Sequence, residues 1–200
     1  AKDAGADACL LVTPYYNKPT QEGLYLHYKK VAETVDIPQI LYNVPGRTAC
    51  DLLPETVIRL AKVKNIIGIK EATADISRVA KILAGVSPDF DLYTGDDATA
   101  VDFILAGGHG GISVTANVAP KQLHDVYAAA LAGDEVKARE LDAPLQAIHR
   151  DIFVESNPIP VKWALAEMGF MKTSTRLPLT VLATKNHSVV KAAMLKAGIA

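Results

Sequence analysis

A lysine stands inside an apolar run, IIGIKEA at residues 66–72, and this position has two interpretations. Lysine is rarely fully buried, because burial removes the water that stabilises its ammonium group. In the simpler interpretation Lys70 ends a strand and reaches solvent or pairs with Glu71. In the other, desolvation lowers the pKa of the amine and raises its neutral, nucleophilic fraction. The functional hypothesis is therefore a Schiff-base lysine.

The alternation of side chains along a strand places the neighbours of this lysine. Ile66, Gly68 and Lys70 are expected to share one face, and Ile67, Ile69 and Glu71 the other. The small Gly68 would leave room for the lysine stem. Glu71 would point away, so it would be poorly placed to neutralise the amine.

Two further residues with suitable chemistry follow the preceding apolar run, in LYNVPGRT. Tyr42 is either an aromatic core residue or a phenol that relays protons to a substrate on Lys70. Arg47 is either a solvated loop residue or a clamp for a substrate carboxylate, which a guanidinium binds through two hydrogen bonds. Pro45 and Gly46 would bend the loop and turn Arg47 back over the strand ends.

Other polar or aromatic residues have weaker signals. Tyr15 and Tyr16 follow a proline and would suit an interface as well as a site. Gly95 with Asp96 and Asp97 is typical of a tight turn followed by a helix cap. The histidines have no metal-ligand spacing, and no dinucleotide or phosphate-loop motif is present, so neither a metal nor an organic cofactor is predicted.

These residues come at the ends of predicted strands. Short β-rich runs alternate with helical stretches, which predicts an α/β fold with a parallel sheet. In such folds the reactive groups gather beyond the carboxyl ends of the strands. Each of the five predicted strands ends in polar or aromatic residues: TPYYN, YNVPGRT, KEAT, TGDD and SVTAN.

The strands stop near residue 119, where the last predicted run, GGISVTAN, ends. We therefore predict two regions, 1–119 with five β-α units and 120–200 with helices alone. Four helices are predicted before residue 119, at 21–35, 54–62, 77–84 and 99–106. Four more are predicted after it, at 120–132, 134–153, 159–168 and 188–197. Five units are too few to close an eight-stranded barrel, and an open five-stranded sheet is the alternative.

Charge and cysteine content limit the class of protein. The 200 residues contain 21 Lys and Arg and 22 Asp and Glu, and half of all residues are apolar. A net charge of −1 gives no basic surface for nucleic acid or an anionic membrane. No apolar run of about 18 residues is present, so no membrane span is predicted. Cys9 and Cys50 form no disulfide or metal pattern, which favours a reducing, cytoplasmic setting.

Several segments together resemble the dihydrodipicolinate synthase family of class I pyruvate aldolases: TPYYNKPTQEG, LYNVPGRTACDL, IIGIKEATAD, LYTGDDATAVDFILAGGHGGISVTANVAP and NPIPVKWAL. The resemblance implies a (β/α)8 TIM barrel, of which about five β-α units are present, with a C-terminal helical extension. It implies a homotetramer built from tight dimers. The implied reaction joins pyruvate to L-aspartate 4-semialdehyde and forms 4-hydroxy-tetrahydrodipicolinate in lysine and diaminopimelate biosynthesis, without a cofactor.

The resemblance also implies roles for single residues. Lys70 would form the imine with pyruvate, and Tyr42 would be the central proton relay. Arg47 would bind the carboxylate of the semialdehyde. Gly95 and Ile112 match positions that line the pyruvate pocket.

Two tyrosines would act at subunit contacts. Tyr16 would be lent across the tight-dimer interface to a neighbour's active site, and Tyr15 would lie near the cleft where lysine inhibits some family members. The family has three more β-α units before the residues present here, with a threonine pair that helps to seat pyruvate. We therefore expect this chain to be part of a longer enzyme.

Two alternatives stay open. One is a sibling pyruvate aldolase acting on a sugar acid, such as N-acetylneuraminate lyase. The other is a non-catalytic barrel fragment that only pairs with other subunits.

Overall fold

The computed structural model describes residues 1–199, which form two compact units. The first unit is Ala1–Ile112 and carries the sheet, and the second begins at Ser113 and is helical. The division of the chain after residue 119 stays a prediction. Within residues 1–199, no helix is both long enough and apolar enough to cross a membrane.

The sheet of the first unit is parallel throughout, and its strands follow the order of the chain, β1-β2-β3-β4-β5. In a doubly wound open sheet the strand order reverses, whereas in a (β/α)8 barrel each strand is added on the same side. The predicted barrel class is confirmed, and a doubly wound sheet would not show this strand order. The strands are β1 (Cys9–Val12), β2 (Gln39–Asn43), β3 (Ile66–Glu71), β4 (Asp91–Thr94) and β5 (Gly110–Gly111).

The helices of this unit begin and end within a few residues of the predicted bounds. Thr20 caps the first helix by accepting a hydrogen bond from the Gly23 amide at 3.1 Å. A short helix after β2 was not predicted, and it carries Arg47. The helices are α1 (Gln21–Thr34), α2 (Pro45–Thr48), α3 (Pro54–Leu60), α4 (Ser77–Leu83) and α5 (Ala100–Leu105).

The main hydrophobic core lies between one face of the sheet and these helices. Its largest fully buried side chains include Leu24 and Tyr28 from α1, Leu41 from β2, Ile69 from β3 and Leu92 from β4. Burial of such side chains stabilises the fold by roughly 1.5–3 kcal/mol each. The helices therefore hold the sheet from one side, and the strand ends are positioned by that packing.

The pairing of β2 with β3 contains an irregularity that the sequence did not reveal. Gln39 pairs with Ile66, but the next residue, Ile40, pairs with Gly68. Ile67 is thus an extra residue in β3, as in a β-bulge. An extra residue moves every side chain beyond it to the opposite face.

This bulge corrects the predicted grouping of side chains in β3. Ile66 is 3% exposed and lies in the core with Ile69, on the face opposite Lys70, so its predicted place beside Lys70 is wrong. Lys70 and Glu71 lie on opposite faces, as predicted. Glu71 is buried, whereas Lys70 is half-buried.

The fifth strand is shorter than predicted. Only Gly110 and Gly111 are in strand conformation, and residues Thr115–Asn117 form a 3-10 helix instead. Within residues 1–199, β5 pairs with β4 alone, so one ladder supports it. The amide of Ile112 still donates to the Thr94 carbonyl at 2.9 Å, which holds the chain beside β4 after the strand ends.

The second unit consists of helices. The predicted continuous helix at 134–153 is wrong, because a 3-10 turn at Ala143–Leu145 with Pro144 interrupts it, and proline cannot donate the hydrogen bond that a helix interior needs. The last helix begins at Thr184, earlier than predicted. The helices are α6 (Pro120–Leu131), α7 (Glu135–Asp142), α8 (Gln146–Asp151), α9 (Ile159–Glu167) and α10 (Thr184–Lys196).

A buried chain of hydrogen bonds lies inside this second unit. His149 Nδ1 is 2.8 Å from the Thr115 hydroxyl, and His149 Nε2 is 3.0 Å from Asp142 Oδ1. All three side chains are buried. A buried polar group is stable when it is hydrogen-bonded, so these contacts tie α7 and α8 to the start of the unit.

Candidate active site

One row of side chains crosses four strands on the face of the sheet away from the core. The strand register aligns Val12 with Tyr42, Tyr42 with Lys70, and Lys70 with Tyr93. Aligned residues of neighbouring parallel strands point to the same face. The sheet therefore places Lys70 between Tyr42 and Tyr93 in this row, near the carboxyl ends of the strands.

The amine of Lys70 lies over an aromatic ring. Its Nζ is 4.4 Å from the centroid of the Tyr42 ring. Burial lowers the pKa of Lys70 below its ordinary value of 10.5, the charge of Asp97 acts to raise it, and the charge of Arg47 acts to lower it. The largest cause is the loss of water around the ammonium group. A larger neutral fraction makes this amine a better nucleophile.

A glycine makes room for the lysine stem, but it is not the one predicted. A Cβ at Gly68 would meet the backbone oxygen of Asp91 at 2.7 Å, so Gly68 permits close approach of β3 to β4. A Cβ at Gly95 would lie 2.6 Å from Lys70 Cε and 2.7 Å from Ala72 Cβ. Gly95 is therefore the glycine whose missing side chain leaves space for the Lys70 stem.

Tyr42 and Arg47 are brought together with Lys70. Burial raises the pKa of the half-buried Tyr42 phenol, and the charge of Arg47 acts in the opposite direction. Arg47 lies on α2 and is exposed. It is close enough for its charge to act on both Lys70 and Tyr42. The amine of Lys70 thus has the Tyr42 ring beside it and the positive charge of Arg47 in its surroundings.

The remaining predicted residues lie around this row or outside it. Gly95 follows β4, and its amide donates to the Glu71 carbonyl at 2.7 Å. Ile112 follows β5 and is 38% exposed. Tyr15 and Tyr16 are 68% and 91% exposed, and neither phenol makes a hydrogen bond within residues 1–199. These two tyrosines are not part of the cluster around Lys70 in this single chain.

The two aspartates in the turn after β4 act on different groups. Asp96 Oδ2 accepts from the Thr99 amide at 3.0 Å and from the Thr99 hydroxyl at 2.8 Å, immediately before α5. This agrees with the predicted turn but not with the predicted cap, because the N-cap residue of α5 is Thr99, whose side chain makes no cap hydrogen bond within residues 1–199. Asp97 is 4% exposed, and its negative charge acts on Lys70. Among residues 1–199, no three His, Cys, Asp or Glu side chains are grouped to hold a metal ion.

A polar cluster that was not predicted from the sequence lies on the other face of the sheet. Arg78 donates to Glu71 Oε2 at 3.1 Å and to both carboxylate oxygens of Asp51, at 2.9 and 2.5 Å. Asn43 donates to Asp51 Oδ1 at 2.8 Å and to Glu71 at 3.2 Å. We call these four residues the Arg78 cluster. The only sequence signal was polarity in strands that are otherwise apolar.

Burial of the Glu71 carboxylate raises its pKa, while Arg78, Asn43 and the Thr73 amide act to lower it. The partners of Glu71 are thus in the Arg78 cluster, and Lys70 is not among them. Tyr93 was also missed, although strand alternation from Gly95 would have placed it on the face of the row.

Residues 1–197 match the dihydrodipicolinate synthetase family. The 4-hydroxy-tetrahydrodipicolinate synthase of Pseudomonas putida (strain W619) is 63% identical over 199 residues, which cover 100% of this chain and 68% of that protein. The chain belongs to the dihydrodipicolinate synthetase family.

Two solved structures of dihydrodipicolinate synthases are similar to this chain over its whole length. The chloride-inhibited dihydrodipicolinate synthase of Acinetobacter baumannii, complexed with pyruvate, is 54% identical with a TM-score of 0.96, and the match covers 100% of this chain and 68% of that one. A monomeric dihydrodipicolinate synthase variant is 43% identical with a TM-score of 0.96, again over 100% of this chain and 68% of that one.

The environment of Lys70 predicts how its reactivity depends on pH. The rate at which an amine-reactive ester labels Lys70 should reach half its maximum below pH 10.5, because burial lowers its pKa. In Asp97→Asn the midpoint should move to still lower pH, because the charge that raises this pKa is removed. Peptide mass spectrometry measures the rate at Lys70. Exposed Glu55 supplies the control, Glu55→Gln, which should leave the midpoint in place, and an upward shift in Asp97→Asn would contradict the assignment.

Proposed function

We propose that this protein is a Schiff-base lyase that condenses pyruvate with L-aspartate 4-semialdehyde to form 4-hydroxy-tetrahydrodipicolinate. The observation that carries the proposal is the position of Lys70. Its side chain is half-buried, its amine has a lowered pKa and lies over the Tyr42 ring, and the carboxylate of Glu71, the next residue in sequence, is on the other face of the sheet. Membership of the family and its synthase relatives supports the choice of reaction.

The reaction begins when neutral Lys70 attacks the ketone carbon of pyruvate. A C–N bond forms, the ketone oxygen leaves as water, and the imine loses a proton from the methyl carbon to give an enamine. The enamine carbon attacks the aldehyde carbon. The amine of the joined product then displaces Lys70 and closes the ring, so the lysine is regenerated. The iminium itself accepts the electrons, and covalent catalysis of this kind splits one difficult step into easier ones.

Neighbouring residues move protons and hold the substrates. The phenol of Tyr42 retains its proton at neutral pH, because burial raises its pKa, so it donates a proton to the ketone oxygen as the C–N bond forms. Arg47 binds the carboxylate of the semialdehyde, since a guanidinium matches two carboxylate oxygens. Gly95 and Ile112 line the pyruvate side of the pocket.

The assembly we propose is a homotetramer of tight dimers in the cytoplasm, where free thiols such as Cys9 and Cys50 persist. Tyr16 is almost fully exposed and has a left-handed backbone, with φ of 68°. Such a backbone costs on the order of 1–3 kcal/mol and is usual at functional sites. Tyr16 reaches the active site of the neighbouring subunit, and Tyr15 lies near the inhibitor cleft. A monomeric relative shows that assembly varies among synthases.

Trapping of the imine tests the covalent step. Borohydride added in the presence of pyruvate should reduce the imine and leave a stable adduct on Lys70, which peptide mass spectrometry locates. Lys70→Arg should give no adduct, because a guanidinium is not a nucleophile at neutral pH. Lys64→Arg, at an exposed lysine, is the matched control and should be labelled like the unchanged protein. A folded protein without an adduct at Lys70 rules out the proposed reaction.

The choice of the second substrate is tested at Arg47. Arg47→Ala should raise the KM for aspartate 4-semialdehyde on the order of 10- to 100-fold, because hydrogen bonds to a charged group contribute roughly 1.5–3 kcal/mol. Trapping of pyruvate should change little. Arg59→Ala, at an exposed arginine of α3, is the control. An unchanged KM would favour the sugar-acid aldolase, and steady-state kinetics decides between them.

The role of Tyr16 is tested by complementation between subunits. Tyr16→Phe removes only the hydroxyl, so turnover should fall while the sedimentation coefficient stays the same. Mixed assemblies of Tyr16→Phe and Lys70→Arg subunits should regain activity, because one kind of site then has an intact lysine and an intact tyrosine. Activity that never exceeds that of the separate variants would show that Tyr16 acts within its own subunit or not at all.

A further inference from the structure

The segment that carries Arg47 is short and is held at few points. Within it the buried Thr48 hydroxyl donates to the Cys50 carbonyl at 2.9 Å and accepts from the Thr13 hydroxyl at 3.3 Å. Helix α2 has four residues and no side-chain cap at its start. Isolated helical turns are unstable, because nucleation fixes several backbone angles for one hydrogen bond. The helix ends at Ala49, whose φ of 54° is a left-handed conformation rare for residues other than glycine. The orientation of Arg47 therefore depends on the buried Thr48 beside it and on what holds the chain on either side of α2.

Asp51 is the anchor on the far side. Its carboxylate accepts hydrogen bonds from both terminal nitrogens of Arg78 and from the Asn43 side-chain amide. Its backbone oxygen accepts a hydrogen bond from Gln21 Nε2 at 2.7 Å. A bidentate arginine–carboxylate pair is stronger and more directional than a single hydrogen bond. The hydrogen bonds to Arg78 and the charges of Glu71 and Asp51 raise the pKa of Arg78, against the effect of its burial.

The near side of α2 is held by the same cluster. Asn43 directly follows Tyr42 at the end of β2, and its side-chain oxygen accepts from the Leu52 amide at 2.9 Å. Both ends of the segment from residue 44 to 50 are thus fastened to Asn43, and Arg78 fastens the far end to α4. The four-residue helix with Arg47 lies between these two points, with Thr48 as its own buried contact to Thr13.

The contacts separate Asp51 from the lysine side of the site. Glu71, next to Lys70 in the chain, has its own bonds to Arg78, Asn43 and the Thr73 amide, and none to Asp51. Loss of the Asp51 carboxylate therefore leaves the partners of Glu71 in place. It frees the C-terminal end of the segment 44–50 that carries Arg47, and it leaves the contacts of β3 unchanged.

We propose that Asp51 is a positioning residue for the second substrate: through Arg78 and Asn43 it holds Arg47 where the guanidinium meets the carboxylate of the semialdehyde. This rests on the proposed function of Arg47. Asp51 itself touches no substrate, and imine formation at Lys70 does not require it. A small displacement of a side chain that positions the substrate is enough to weaken catalysis strongly.

The test is a double-mutant cycle with two readouts. Asp51→Ala should raise the KM for aspartate 4-semialdehyde on the order of tenfold, while borohydride trapping of pyruvate at Lys70 stays within about twofold. In an Arg47→Ala background, Asp51→Ala should add almost nothing, because residues that act as a unit are not additive. Asp51→Asn keeps the volume and one acceptor oxygen, and it should give a smaller rise in KM.

Controls separate positioning from loss of structure. Glu22→Ala removes the carboxylate of another arginine pair, Arg59–Glu22 at 2.8 Å, which is exposed and outside the Arg78 cluster, and it should change neither readout. Equal losses of trapping and of semialdehyde affinity in Asp51→Asn, or full additivity with Arg47→Ala, would overturn the positioning role. If the unchanged protein forms no pyruvate adduct, the proposed function fails first, and the role of Asp51 is overturned with it.

Discussion

A lysine amine that must lose water without gaining a carboxylate partner is the constraint on which this site depends. Desolvation is the largest cause that lowers the pKa of Lys70, with the charge of Arg47 acting in the same direction, whereas a paired carboxylate would raise it again. The alternation of β3 meets this condition, because Glu71 directly follows Lys70 and points into the other face. The one acidic charge that acts on Lys70, that of Asp97, comes from the next strand end and opposes the shift.

The opposite face must then stabilise a buried carboxylate. Removing the partner of a buried ion pair typically costs 3–5 kcal/mol, because the remaining charge is left without compensation. Arg78, Asn43 and the Thr73 amide surround Glu71, and Asp51 is the second anion on Arg78. The same contacts that stabilise this charge also fasten the ends of β2 and β3. The Arg78 cluster thus both stabilises one face of the sheet and fixes the strand ends that carry Lys70 and Tyr42 on the other face.

Particular residues show how far prediction from the sequence reached. Lys70 and Tyr42 were placed together because parallel strands bring their carboxyl ends to one edge, and the register confirms that they are neighbours. Gly68 was assigned the space that Gly95 provides, because contact across strands depends on a register that one sequence does not give. Ile66 was placed on the wrong face, because a bulge leaves no local signal in a run of isoleucines. Tyr93 was overlooked.

The sequence by itself determined the order of strands and helices, the polar residues at each strand end, and a lysine, a tyrosine and an arginine as candidates for the chemistry. These follow from local propensity and from alternation, which act between residues close together in the chain. Only the tertiary structure decided the bulge in β3, the contact of Gly95 with Lys70 and the cluster that joins Asp51 to Arg78. Each of these depends on pairing between distant segments, and long-range packing is fixed only when the whole sheet and its helices come together.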